Sequence, residues 1–314
     1  MSTNLRPSFA LDADQLDFFD RNGYLMLRGL IPPSTIDRLR VDSEAWMTAG
    51  PDTGNLAPGV NPDDFDVAHR DGVDVPFRIN YVHDKGGAAS LELLGCPRLL
   101  GVAQSLAGPN FVPTYESLVF KAAGDGAPVH WHQDATHPRH WRIANLDVYL
   151  DESRPGEGAL RVLPGSHRDV PDLCRLETDH GWDPPGAVEI EAHPGDVLVH
   201  DVMLVHGSPR VRGNRLRRTL YYEFRAAEQI LAEGPWDAGW IERRMRLIPL
   251  ALDAWAHANP AEPVFPWQAD ERWRPGAGAD AAQELRIVHQ WHSPGNYCSA
   301  GDVRPAPDEP AAPH

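Results

Sequence analysis

The sequence predicts a mainly β protein with flanking helices, built as a sandwich or a barrel. Short segments of β-branched or alternating residues follow one another through the middle of the chain, and turn residues bound them. No long helical pattern interrupts this series, which is typical of closed or two-layered sheets. The predicted strands are 115–121, 129–134, 143–150, 159–163, 187–190, 197–205 and 215–225. The clearest turns, at 156–158, 164–166 and 194–196, hold Gly or Pro.

Helices are predicted on both sides of this β-rich region. Apolar residues recur at helical spacing in 12–21, 36–46, 91–107 and 236–258, and an apolar strand is predicted at 24–30. Residues 50–76 are rich in Pro, Gly and Asp and are predicted to form a surface loop or a lid.

We predict one domain over 1–314. Its core spans about 11–226, a helical and irregular extension spans about 230–305, and a disordered tail spans about 305–314.

Composition narrows the classes of partner. The 314 residues include 45 acidic and 29 basic side chains, a formal net charge of −16 that would repel a nucleic acid. Without a long apolar run or a leader-like start, a membrane span is not predicted and a cytoplasmic location is expected. The three cysteines, Cys96, Cys174 and Cys298, form no C-x-x-C pair and are expected to be reduced and buried.

Two H-x-D motifs are candidates for metal binding, and their contexts differ. His132 and Asp134 fall within a predicted strand, where residues two apart point to the same face and can converge on one ion. His167 and Asp169 directly follow a Pro-Gly-Ser turn, where surface ion pairing explains them. We therefore favour His132 and Asp134 as two ligands of one metal.

A third ligand must come from elsewhere in the chain. His206 ends the apolar run 197–205, and His200, six residues earlier, is a direct competitor. Two histidines and one carboxylate form the facial triad that leaves three coordination positions open on Fe(II).

Several separated motifs resemble the phytanoyl-CoA dioxygenase family. They are Trp-His-Gln-Asp at 131–134, the segment 158–168, and Gly-Asp at 195–196 followed by His-Gly-Ser at 206–208. The opening segment 19–30 is also similar, and the match runs from about 11 to 226. The resemblance implies a double-stranded β-helix that binds Fe(II) and 2-oxoglutarate and uses O2 as co-substrate. It also implies that His132, Asp134 and His206 are the iron ligands.

The resemblance further implies an arginine that binds the far carboxylate of 2-oxoglutarate. The family places it eleven residues after the distal histidine, which here is Arg217, with Arg215 and Arg218 as neighbouring candidates. On a strand Arg217 shares its face with Thr219, whereas Arg218 points away. Thr219 and Ser208 are candidate hydroxyl contacts to the same cofactor.

Lys121 is a further candidate contact to 2-oxoglutarate or to the substrate. It is one of only two lysines among 29 basic residues, and it lies eleven residues before His132, as in the family pattern. The alternative interpretation is a solvated cation at the end of a strand.

The predicted reaction is hydroxylation, desaturation or ring closure at a C–H bond of a polar small molecule, in specialised (natural-product) metabolism. The carboxylate at Asp134 favours these outcomes over halogenation, because halogenating relatives replace it with a small residue. Asp147, Trp141 and His137 are candidate substrate contacts, although packing and a solvated loop explain them equally well.

The alternative function is a non-oxidative metal-binding barrel, either a zinc hydrolase or a binding module. A zinc hydrolase needs a general base beside its ligands, and the sequence has no H-E-x-x-H motif. The sequence gives no prediction of oligomeric state.

Overall fold

The computed structural model describes residues 9–50, 62–70, 73–121, 128–211, 215–275, 285 and 295–298. The helices of this part of the chain are α1 Ala13–Asn22, α2 Pro33–Ala49, α3 Ala89–Leu94, α4 Pro97–Ala107, α5 Leu173–His180, α6 Ala227–Glu233, α7 Ala238–Met245 and α8 Leu247–Ala258. The strands are β1 Tyr24–Leu27, β2 Phe65–Arg70, β3 Val73–Asn80, β4 Phe111–Lys121, β5 Val129–Gln133, β6 Ala144–Tyr149, β7 Arg161–Val162, β8 Val188–Glu189, β9 Val197–Asp201, β10 His206–Ser208, β11 Arg217–Ala226 and β12 Asn296–Tyr297.

The strands form two antiparallel sheets. The large sheet has the order β1-β9-β6-β11-β4-β3-β2, and the small sheet has the order β12-β5-β10-β7-β8. From β4 onward the chain passes repeatedly from one sheet to the other, and only β7 and β8, among these described strands, follow each other within one sheet. This is the predicted double-stranded β-helix, and the fold-class prediction is confirmed.

The large sheet has one apolar and one polar face. Leu146 and Leu220 alternate with polar neighbours, and both are fully buried in the main core together with Leu118 and Val199. Helices α2, α3, α4, α7 and α8 contribute to the same core, which therefore lies between the helices and the sheet. The polar face carries the register partners Asn145 and His200, among others, and is turned toward the small sheet.

Two expectations about the periphery of the fold are wrong. Part of the predicted loop 50–76 forms the hairpin β2–β3, although residues 51–61 and 71–72 lie outside the described part. Pro76 on β3 pairs with Val67 on β2, and the register with β4 begins at Arg78, so a missing N–H is tolerated here. The predicted helix 91–107 is two helices, since Pro97 cannot continue a helix but suits the first turn of α4. The predicted tail 305–314 also lies outside the described part.

The cysteines differ from the expectation that all three are reduced. Cys174 and Cys298 form a disulfide with their Cα atoms 4.5 Å apart, whereas Cys96 is free and buried. A separation of 124 residues gives no sequence signal for this pair, because β12 brings Cys298 to α5 only in the folded chain. Among the described residues, no helix combines the length and apolar character that crossing a membrane requires.

Candidate metal centre

Three predicted ligands converge between the two sheets. His132 on β5 and His206 on β10 are direct cross-strand partners, and Asp134 follows β5. One potential ligand atom from each residue lies within 4.8 Å of the other two. The Oδ1 atom of Asp134 is 3.4 Å from Nε2 of His132 and 3.7 Å from Nε2 of His206. The group therefore presents two imidazole nitrogens and one carboxylate oxygen to a common point.

Hydrogen bonds fix the tautomers of both histidines. Nδ1 of His132 lies 2.8 Å from the carbonyl of His130, and Nδ1 of His206 lies 2.8 Å from that of Leu204. Because a carbonyl only accepts, each Nδ1 carries the hydrogen and each Nε2 offers a lone pair. Burial, with His132 close by, lowers the pKa of His206 to about 3, which keeps it neutral. This donor set fits a divalent metal such as Fe(II).

The second oxygen of Asp134 is held from behind the triad. Asn145 Nδ2 donates to Oδ2 at 2.8 Å, and His200 Nε2 lies 3.1 Å from the same atom. Burial opposes ionisation of Asp134, but the neighbouring His206, His132 and His200 outweigh it and hold its pKa well below the usual range. His200, the competitor for the third ligand position, therefore supports the carboxylate while His206 completes the triad.

Asp147 is a buried neighbour of His200. It is 0% exposed, and its Oδ2 is 3.0 Å from Nδ1 of His200, an ion-pair contact without the geometry of a hydrogen bond. Burial lowers the pKa of His200, but Asp147 and Asp134 raise it to about 10 overall. In the described structure Asp147 therefore contacts His200, and its role as a substrate contact stays a prediction.

The other two candidate substrate contacts lie in the segment after β5. Trp141 is 37% exposed. His137 Nδ1 accepts a hydrogen bond from the backbone N–H of Arg139 at 3.1 Å. Burial, together with the nearby Arg225, lowers the pKa of His137 to about 4. These contacts do not involve the triad, so both substrate roles stay predictions.

The residues predicted for 2-oxoglutarate lie at one corner of the two sheets. Lys121 and Arg217 are cross-strand partners, and Lys121 Nζ donates to Ser208 Oγ at 2.6 Å. Arg217 donates to the carbonyl of Gly158, and Thr219 follows Arg217 on the same face of β11.

The two competing arginines have other partners. Arg218 points to the opposite face and pairs with Asp151, its Nε being 2.8 Å from Oδ2. Arg215 pairs with Glu152 at 2.6 Å, and its side chain is about half exposed. Because both competitors pair with other carboxylates, Arg217 stays the predicted contact to 2-oxoglutarate.

Sequence reasoning missed two further residues beside the triad. Arg78 on β3 is the register partner of Val119 on β4, and Val119 is in turn the register partner of Thr219 on β11. The buried Nε atom of Arg78 has no hydrogen-bond partner in the described structure. Tyr297 on β12 stacks on His132 with ring centroids 5.3 Å apart. The polar alternation of β3 could have indicated Arg78, whereas β12 is too short to be recognised from sequence.

This site and its fold define a non-haem metal oxygenase of the double-stranded β-helix type. Residues 19–219 match the family model of phytanoyl-CoA dioxygenase (PhyH). The chain belongs to the phytanoyl-CoA dioxygenase family and is a 2-oxoglutarate-dependent non-haem iron dioxygenase.

Individual proteins of known name are similar to most of this chain. Ectoine dioxygenase from Nocardia farcinica is 23% identical over 248 residues, which cover 70% of this chain and 80% of that protein. The crystal structure of AviO1 from Streptomyces viridochromogenes Tue57 has 29% identity and a TM-score of 0.58, and the match covers 73% of this chain and 99% of that one.

EctD from S. alaskensis was solved with 2-oxoglutarate and 5-hydroxyectoine. It is 25% identical with a TM-score of 0.57, and the match covers 73% of this chain and 79% of that one. The predictions of iron and 2-oxoglutarate are confirmed by this relationship. The alternative of a non-oxidative zinc protein is set aside.

Proposed function

We propose that this enzyme hydroxylates a C–H bond of a small polar molecule, with His132, Asp134 and His206 as the iron ligands. The observation that carries the proposal is the convergence of two Nε2 lone pairs and Asp134 Oδ1 on one point. When bound, Fe(II) activates O2 so that one oxygen atom enters the substrate while 2-oxoglutarate leaves as succinate and CO2. The protein's own residues bind and orient the two organic molecules.

Arg217 and Lys121 are proposed to bind 2-oxoglutarate. Arg217 is partly exposed, and a planar guanidinium matches the far carboxylate in a bidentate pair. Lys121 adds a second positive charge beside it, and the hydroxyl groups of Ser208 and Thr219 offer hydrogen bonds on the same side. Two adjacent cations at the end of β4 and the start of β11 suit a dicarboxylate.

The substrate is proposed to carry a carboxylate or a similar oxyanion. Arg78 lies on the polar face, its side chain is 35% exposed, and its neighbour Asp66 is 3.5 Å away. Burial lowers the pKa of Arg78, but the charges of Tyr115, Asp66, Tyr297 and Asp134 raise it overall, so the guanidinium interacts electrostatically with one of the proposed metal ligands. An acyl-CoA is not proposed, because a chain of net charge −16 with two lysines suits a polyphosphate poorly. Similarity to ectoine dioxygenase supports a small polar substrate.

The biological setting is also a proposal. We place the enzyme in the cytoplasm, where 2-oxoglutarate is a general metabolite, and in specialised metabolism. Its partner is a small molecule, and neither a nucleic acid nor a membrane is proposed.

The decisive experiment adds Fe(II) and then 2-oxoglutarate to apoprotein without O2. A weak visible charge-transfer band should form, and admission of O2 should give slow succinate production. His132→Ala should abolish both signals, whereas His257→Ala, on the exposed side of α8, should retain them. Absence of the band in the wild type would refute the proposal. Product mass then separates hydroxylation, which adds one oxygen, from desaturation or ring closure, which removes two hydrogens.

A further inference from the structure

A C-terminal segment adds a strand beside the metal ligands. In β12, Asn296 pairs with Gln133 and Tyr297 pairs with His132, so the edge of the small sheet at β5 is covered. Asn296 Nδ2 donates to Gln133 Oε1 at 3.0 Å and to the carbonyl of Pro171 at 2.8 Å. The segment is thus tied to the strand that carries His132 by both backbone pairing and side-chain hydrogen bonds.

Gly295 shows how closely this segment approaches the site. A Cβ atom at this position would lie 2.0 Å from the carbonyl oxygen of Gln133 and 2.6 Å from that of Asp134. Both obstacles are backbone atoms that cannot move aside without displacing the ligand-bearing segment. Glycine is therefore required for the chain to enter β12 at this distance from Asp134.

Tyr297 covers one face of the His132 ring. The two rings are stacked with centroids 5.3 Å apart and an interplanar angle of 11°. Burial and the charge of Asp134 raise the pKa of Tyr297 to about 12, so its hydroxyl stays neutral at neutral pH. Two contacts therefore orient the His132 ring: its Nδ1 hydrogen bond to the carbonyl of His130 and the stacked phenol ring of Tyr297.

The Cys174–Cys298 disulfide holds this segment in place. A two-residue strand is too short to be stable by pairing alone. The disulfide follows Tyr297 directly and joins the segment to α5, whose Glu177 contacts His130 on β5. A covalent link at this point raises the effective concentration of Tyr297 at His132.

We propose that residues 295–298 form a redox-sensitive strap that completes the metal site, with Tyr297 as a positioning residue for His132. Attack by a dithiol breaks the Cys174–Cys298 bond, so that both cysteines gain hydrogen and become thiols while the dithiol is oxidised to a disulfide. Release of the strap then lowers metal affinity. A reducing cytoplasm would favour the dithiol, so the strap would close under oxidising conditions. The inference rests on the proposed metal ligands but not on the substrate or the reaction.

The test compares Fe(II) affinity, measured anaerobically by competition with a chelator, in oxidised protein and after dithiothreitol treatment. Alkylation and mass spectrometry first establish which thiols are linked. Reduction should weaken Fe(II) binding roughly 3- to 10-fold, because this is the change in affinity that corresponds to the free energy of one aromatic pair. Reduction should also raise the rate of amide hydrogen exchange in residues 129–133 and 295–298. The Cys174→Ser/Cys298→Ser double variant should show the weaker affinity from the outset and no further response to dithiothreitol.

Variants of Tyr297 separate stacking from a general effect of the strap. Tyr297→Ala should weaken Fe(II) binding to the level of reduced protein with its disulfide intact, and Tyr297→Phe should restore wild-type affinity. The inference is overturned if reduction changes neither affinity nor exchange, or if Tyr297→Ala binds Fe(II) as tightly as wild type. These readouts need no 2-oxoglutarate, so failure of the oxygenase assay with a persisting redox effect would refute the proposed function alone.

Discussion

His132 and His206 are supported in the same way from two different strands. Each donates from Nδ1 to the carbonyl two residues earlier in its own segment, at 2.8 Å in both cases, and their ring centroids are 4.1 Å apart. The backbone that places each imidazole therefore also selects its tautomer. Replacing either histidine with another nitrogen donor would lose this local hydrogen bond as well as the coordinating atom.

Asn145→Ala should weaken metal binding although Asn145 is not itself a ligand. The change removes the 2.8 Å hydrogen bond to Asp134 Oδ2, so that this oxygen keeps its contact to His200 but loses its amide donor. Loss of such a supporting contact costs about 10- to 100-fold in metal affinity. Fe(II) titration measures the effect, with Asn22→Ala at the end of α1 as a control. Equal affinities in both variants would contradict this role for Asn145.

Arg217→Met should raise the concentration of 2-oxoglutarate needed for turnover by about 10- to 100-fold, the value of a charged hydrogen-bonded pair. Fe(II) affinity should change little, because Arg217 contacts Gly158 rather than a metal ligand. Arg215→Met is the matched control, since its side chain pairs with Glu152 near the surface. The opposite ranking of the two variants would assign the carboxylate contact to Arg215.

Arg78→Met should reduce substrate affinity without altering the 2-oxoglutarate complex. The charge-transfer band should persist, while acceleration of 2-oxoglutarate consumption by carboxylate-bearing compounds should be lost. Matched amides of the same compounds test the charge directly and should be poor activators of the wild type. If Arg78→Met instead abolishes the band, Arg78 serves the cofactor and the proposed substrate contact is wrong.

Glu116→Gln should destabilise the fold strongly. Glu116 and Arg244 form an ion pair in which both side chains are 0% exposed, and the change leaves a buried guanidinium without its counter-charge. The expected loss is about 3–5 kcal/mol in the free energy of unfolding, measured by urea denaturation. Asp179→Asn breaks the exposed pair with Arg175 and should cost less than about 0.5 kcal/mol. Similar midpoints for the two variants would refute the buried pair's importance.

His83 should make stability depend on pH between about 4 and 6.5. Burial lowers its pKa to about 4, against 6.5 as the usual value, so within this window the unfolded chain binds the additional proton. The contribution of neutral His83 to the free energy of unfolding is therefore fully present above pH 6.5. It is lost as the pH drops toward 4, by at most about 3 kcal/mol. Carboxylates contribute their own slope, so His83→Gln must be compared with wild type. An unchanged slope in the variant would show that His83 is not the responsible group.

Much of the site could be predicted because strand alternation acts locally. The two-residue spacing of His132 and Asp134 fixes a shared direction, and the same rule separates Arg217 from Arg218. The choice between His200 and His206 could not be made this way. The predicted strand 197–205 ends at Asp201, and the chain then crosses to the small sheet, so the two histidines approach Asp134 from different sheets.

The sequence also could not predict how deeply a side chain is buried or which distant segments pair with each other. Alternation placed Asp147 on the inner face but could not show that His200 covers it. Tyr297 reaches His132 through a pairing between residues 165 positions apart, and local patterns carry no signal for such a contact. Local rules such as strand alternation were therefore enough to predict the candidate ligands. The residues that surround these ligands could be identified only from the folded structure.

The two faces of the large sheet serve different purposes, because one packs against the helices and the other faces the space between the sheets. Leu118 and Leu220 hold the sheet to its helices, while the opposite positions, such as Arg78 and Tyr221, point between the sheets. Inward-facing positions outside the buried contacts of Asn145, His200 and Asp147 can be exchanged without opening a cavity in the helix-covered core. Side chains at such positions set the shape and charge of the space between the sheets, while the helix-covered core keeps the fold.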